Sequence, residues 1–165
     1  MVEKKLPHIM VLGVGNEILQ DEGVGIEVVK TLQSMKLPVN VEIVEGGTGG
    51  LDLLKLLEET DYLLIVDAVD ARTQPGAIFR FKPDEVSVLP PEYGMSFHQL
   101  GLFEIFSMAK ILGEMPDTTI FAIQPASMTW GIGLTPEVAA KVPVVIEQIL
   151  EEIAGINERY SWAGT

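Results

Sequence analysis

Six acids and one imidazole fall at the ends of candidate strands or in the loops after them. They are Glu17, Asp21 and Glu22, then Glu45, then Asp67 and Asp70, with His98 further on. A histidine and two carboxylates gathered from separate loops give an oxygen-and-nitrogen donor set with open positions. Such a set suits borderline divalent ions such as nickel, zinc, iron(II) or manganese. Asp67 carries the sharpest signal, because it directly follows the apolar run Tyr62 to Val66. A carboxylate there is costly to desolvate unless it is hydrogen-bonded or faces a cation. His98 lies at a helix start, where the helix dipole disfavours imidazolium and keeps the ring neutral, as ligation requires. Simpler roles compete with ligation: Asp21 as a helix cap, Glu22 as a complement to the dipole, His98 as a solvent-facing residue, and Glu17 and Asp70 as solvated or supporting loop charges. His8, ahead of the first strand, reads as an incidental surface residue.

The loop from Gly13 to Gly25 follows a strand and precedes a helix, which invites a nucleotide reading. Gly13 and Gly15 fit the dinucleotide fingerprint, but its last glycine position is Ile18. Three acids stand where a pyrophosphate would sit, and no lysine lies between Lys5 and Lys30 for a phosphate-binding loop. Carboxylates in such a loop suit a cation instead. Neither a Gly-x-Ser-x-Gly elbow nor a His-Glu-x-x-His helix is present, which sets aside serine-elbow hydrolases and zincins.

The elements that must position these groups alternate between strand and helix. Ile9 to Leu12, Val41 to Val44, Tyr62 to Val66, Ala77 to Lys82 and Thr119 to Ile123 read as strands. The third is a continuous apolar run of the kind buried on both faces of a parallel sheet. Ala77 to Lys82 follows a Pro75-Gly76 turn and reads as an antiparallel edge. Helical spacing occupies Ile26 to Leu32 and Leu51 to Leu57. Ser96-x-x-Gln99 is a capping box opening a helix to about Leu112. Thr135-Pro136 opens a last helix, with Thr135 as its cap, running to about Ala154 and stopping near Gly155. The tail from 157 to 165 reads as loosely held. The pattern predicts a single three-layer α/β/α domain over residues 1–165. Its mostly parallel five-stranded sheet has the order 2-1-3-5-4, with strand 4 antiparallel.

Composition narrows the partners. The chain has 165 residues, 11 Lys plus Arg against 24 Asp plus Glu, and a formal net charge of -13. A surface this acidic repels phosphate backbones, so nucleic acid is excluded as the expected partner. With no cysteine, thiolate metal sites, cysteine nucleophiles and disulfides are ruled out. No apolar run reaches the roughly 18 residues of a membrane span. Met1 to Pro7 does not resemble a signal peptide, and the expectation is a cytoplasmic protein without a membrane partner. Some of the seven methionines, near the long loop and third helix, could form an adaptable docking surface or fill core.

Six short motifs in order carry a family resemblance. They are Gly13-Val-Gly-Asn16, Asp21-Glu-Gly-Val-Gly25, Glu45-Gly-Gly-Thr48, Asp67-Ala-Val69, Ser96-Phe-His-Gln-Leu100 and Ile132-Gly-Leu-Thr-Pro136. Together they resemble the hydrogenase maturation endopeptidases over nearly the whole chain. The resemblance implies an enzyme that removes a short carboxyl-terminal peptide from the nickel–iron hydrogenase large-subunit precursor. It implies that nickel already inserted in the precursor is the recognition signal, so that the cofactor arrives with the substrate. It assigns metal contact and catalysis to Glu22, Asp67 and His98, and precursor contact to Glu45, Gly46, Gly47 and Thr48. Glu45 departs from the family's usual Asp before Gly-Gly-Thr, which moves the carboxylate by about one methylene. A non-catalytic scaffold that docks the immature subunit is the alternative to an endopeptidase.

Overall fold

Two apolar faces on one sheet organise the chain. In the computed structural model, residues 5–46, 51–83 and 97–162 are described. β1 (Ile9–Gly13) is buried throughout and has parallel neighbours on both sides, β2 (Val41–Glu45) and β3 (Tyr62–Ala68). β5 (Asp117–Ile123) adds parallel to β3, and β4 (Ile78–Phe81) closes the edge antiparallel to β5. The order is β2-β1-β3-β5-β4, as the element pattern predicts.

Alternation along the strands sends side chains to opposite faces. Ile9, Val11, Leu64 and Val66 meet Val28 and Leu32 of α1 (Val24–Gln33) and Ile149 and Ile153 of α5 (Val142–Trp162). Met10, Leu12, Leu63 and Ile65 meet Leu53 and Leu57 of α2 (Leu51–Glu58) and Ile105 and Ala109 of α3 (Phe97–Leu112). Each fully buried aliphatic side chain contributes about 1.5–3 kcal/mol of transfer free energy. The two central strands are therefore the least yielding part of the molecule. Of the methionines, Met10 is core, whereas Met35, Met108 and Met128 are exposed at separate places.

The last helix departs from expectation at both ends. A short helix, α4 (Pro136–Ala139), precedes α5 and is separated from it at Ala140 and Lys141. Pro143 explains the break, because it has no N–H to offer the Ala139 carbonyl across a continuous helix. Thr135 does not cap α4 through its side chain; its hydroxyl is used elsewhere. Nor does Gly155 end α5, which continues to Trp162. Ile156 is buried, Asn157 Oδ1 accepts from Asn40 Nδ2 at 2.8 Å, and Tyr160 sits edge-on to Tyr62 with ring centroids 6.2 Å apart. Those contacts offset the roughly 1 kcal/mol that glycine costs within a helix. Residues 157–162 are thus part of α5 rather than a loose tail. The Ser96 half of the predicted capping box lies outside the described residues.

Candidate functional site

Close backbone approach builds the carboxyl edge of the sheet. Gly13 pairs in register with Glu45 on one side and Val66 on the other. Gly25, in the first turn of α1, lies so close that a Cβ there would come 2.2 Å from the Val66 carbonyl oxygen and 2.4 Å from that of Val14. Any other residue would push α1 off the strands. Gly15 has φ +150, and a Cβ on it would meet the Glu22 carbonyl at 2.0 Å. Its glycine lets the loop fold back, so that Asn16 N–H donates to that carbonyl at 3.2 Å. The 3-10 turn Gln20–Gly23 is thereby packed against β3.

This packing brings two of the candidate acids to the same edge. Glu22 belongs to the 3-10 turn rather than to α1 and is only 9% exposed. Asp67 is the penultimate residue of β3, one past Val66, and is 4% exposed, with Oδ1 accepting the Ala68 N–H at 2.8 Å. α3 leads through residues 113–116 into the start of β5, so its first turn lies toward the carboxyl edge as well. His98 is the second residue of that turn. Its side chain lies outside the described set, as do Gly47 and Thr48. β4 itself runs away from the carboxyl edge and stops part-way, its Phe81 facing Ile120 in the middle of β5. Glu45 ends β2 and is exposed, and Gly46 N–H donates to the Gly13 carbonyl at 2.7 Å. Among the described residues no three His, Cys, Asp or Glu side chains form a cluster ready for a metal. The described donors are two carboxylates, which fit the oxygen-rich part of a divalent site and leave it incomplete.

Asp21 turns out to be neither a cap nor a free loop charge. It is 0% exposed, and its carboxylate accepts four hydrogen bonds. Oδ2 takes the Ala126 and Ser127 amides at 2.9 and 3.0 Å and the Thr135 hydroxyl at 2.7 Å. Oδ1 takes the Thr135 amide at 2.7 Å. One carboxylate thus fastens the 125–135 loop to the turn that carries Glu22. Gln20, with φ 47, is held in that strained conformation by donating its N–H to the Gly131 carbonyl at 3.0 Å.

Gln124 is a residue that sequence reasoning missed. Buried just past β5, it accepts the Ala71 amide on Oε1 at 2.8 Å and donates from Nε2 to Asp70 Oδ1 at 3.1 Å. It pins the loop after Asp67 to the neighbouring strand. No motif marks it; a polar amide directly after an apolar strand is the only hint. The Gln124 bond, followed by the Arg72 amide, holds the Asp70 carboxyl below its usual range. Glu17 pairs with Lys30 at 2.6 Å, and that bond raises the lysine's pKa. Asp70 and Glu17 are therefore supporting loop charges with defined partners.

Comparison with known proteins places the chain. A sequence model of the HycI hydrogenase maturation protease family matches residues 26–152. The chain belongs to this family. It is 41% identical over 146 residues to the hydrogenase 2 maturation protease of Escherichia coli, covering 87% of this chain and 88% of that one. It is 38% identical to the hydrogenase expression/formation protein HupD of Rhizobium leguminosarum, over 86% of this chain and 71% of the relative. Among solved structures, the hydrogenase maturating endopeptidase HybD of E. coli superposes with a TM-score of 0.82 at 38% identity. That alignment covers 90% of this chain and 93% of HybD. The fold is thus the α/β fold of maturation proteases.

Proposed function

We propose that this chain is an endopeptidase that removes the carboxyl-terminal peptide of a nickel–iron hydrogenase large-subunit precursor after nickel insertion. Glu22, Asp67 and His98 contact the nickel that the substrate carries. The observation that supports this reading most is the pair of buried acids, Glu22 of the 3-10 turn and Asp67 of β3, at one sheet edge. Carboxylates withdrawn from water are costly to keep charged, and a cation is one partner that offsets the cost. A metal held by the client's own ligands would complete the donor set, and a bound divalent ion supplies Lewis acidity for amide hydrolysis.

The chain's own residues do the rest. Glu22 is fixed by the folded-back glycine loop, and Asp67 is oriented by its bond to the Ala68 amide. Glu45 at the end of β2 and Gly46 just after it, across β1 from Asp67, meet the precursor backbone. Cutting the tail frees the new carboxyl end to fold over the metal, after which the product leaves. Incubation with a purified nickel-loaded precursor, read by mass spectrometry, tests this reading. The expected result is loss of one carboxyl-terminal peptide, absent with nickel-free precursor. Tight binding with unchanged mass would instead mean a scaffold.

A further inference from the structure

Beside the acids lies a surface with the opposite character. No charged residue occurs between Asp117 and Glu137, in a chain that is 21% charged. Within that stretch Trp130 is 78% and Ile132 is 91% exposed, with Met128 exposed nearby and Ile18 exposed on the facing loop. The two loops are joined by a parallel bridge between Leu19 and Gly131. The Gly131 amide donates to the Ile18 carbonyl at 2.9 Å, and the Asp21 amide to the Ser127 carbonyl at 3.1 Å. With the four bonds to the Asp21 carboxylate, these hold the exposed side chains on a preformed support.

Large apolar side chains left in water on ordered backbone mark places where another surface covers them. Tryptophan is prominent among residues that dominate protein–protein binding. A net charge of -13 is repelled by anionic lipid, which counts against a membrane as the cover. The platform is continuous with the turn holding Glu22, only four residues after Ile18. We infer that Ile18, Met128, Trp130 and Ile132 form a docking platform for an apolar patch on the folded body of the hydrogenase precursor. Recognition is then two-part: the acids read the metal, and the platform reads the folded client. This deepens the proposed processing function and rests on it for the identity of the client.

The test measures steady-state cleavage of nickel-loaded precursor by the whole protein and by a Trp130→Ser/Ile132→Ser variant. Both positions are exposed, so melting temperatures should agree within a few degrees. The expected outcome is a KM raised at least about tenfold with kcat within about threefold. In a Trp162→Phe background, Trp130 emission should change on adding precursor, and the added change Ile132→Ser should shift that titration to higher concentration. Cleavage with unchanged KM overturns the platform while leaving the processing function intact. Absent cleavage with a Trp130 response weakened by Ile132→Ser supports the platform and overturns processing. No cleavage and no emission change sinks both. A wild-type dimer that dissociates in the double variant would assign the surface to a second copy and overturn the inference.

Discussion

The two edges of the sheet handle charge in opposite ways. At the amino edge, charges pair with one another near water. His8 Nε2 lies 3.0 Å from Glu42, its backbone N–H donates to Asp61 at 2.7 Å, and Lys82 bridges Asp117 and Thr119 at 2.7 and 2.9 Å. At the carboxyl edge, Asp21, Glu22 and Asp67 are withdrawn from water. There Asp21 accepts from three backbone amides and a hydroxyl, and Asp67 accepts from the Ala68 amide. Exposed pairs cost little to form and contribute little. Buried carboxylates are expensive, so a fold that assembles several at one edge keeps them for a purpose or ties every oxygen down. Asp21 takes the second course. Under the proposed function, Glu22 and Asp67 take the first.

Substitutions that remove charge without changing shape should separate these roles most sharply. Asp67→Asn or Glu22→Gln should reduce precursor processing below detection by mass spectrometry while leaving the folded state intact. If His98 acts at the site and not in packing, His98→Ala should do the same and lower stability by no more than about 1 kcal/mol. If His98→Ala unfolds instead, the imidazole is structural and the contrast between edges weakens. Next in size is Asp21→Ala, which orphans three amides and a hydroxyl at once. Urea denaturation should show a loss of about 3 kcal/mol, with processing slowed because the Glu22 turn loosens. A loss below about 1 kcal/mol would mean the clamp is dispensable.

At the amino edge the expected effects are small. Lys82→Ala should cost less than about 1 kcal/mol, since both charged partners are about half exposed. A larger loss would show that this edge is also built around its charges. At the carboxyl end of β2, Glu45→Asp, which draws the carboxylate back by one methylene, should keep processing within about threefold of the parent. Loss of processing would mean that the neighbouring loop has been retuned to the longer acid.

The smallest effect is on pH dependence. The Asp70 pKa is lowered from 3.8 by Gln124 and the Arg72 amide. Its contribution to stability is therefore fully present above about pH 4 and is lost as pH falls through the depressed folded value. Because Asp70 is exposed, the slope should be well under about 1 kcal/mol over that window. Asp70→Asn should flatten it in acid-titrated thermal melts, and an unchanged slope would assign it to other carboxylates.

Residue order alone determined the strands, their arrangement and the acids worth watching. Continuous apolar runs such as Tyr62 to Val66 can be buried on both faces only in a covered parallel sheet, and right-handed crossovers then leave few orders. The motifs around Glu22, Asp67 and His98 carried the family because six fragments in register are specific even when each is modest. What needed tertiary structure was the fate of individual polar groups. Asp21 at a helix start looks like a cap by every local rule, yet the 125–135 loop, more than a hundred residues away, offers it shorter and more numerous partners. Gly155 looks like a helix stop, yet Asn40 and Tyr62 reward continuation. Gln124 carries no signature at all. Local chemistry sets what a side chain is able to do, and only packing decides which of the competing partners arrives within hydrogen-bonding distance.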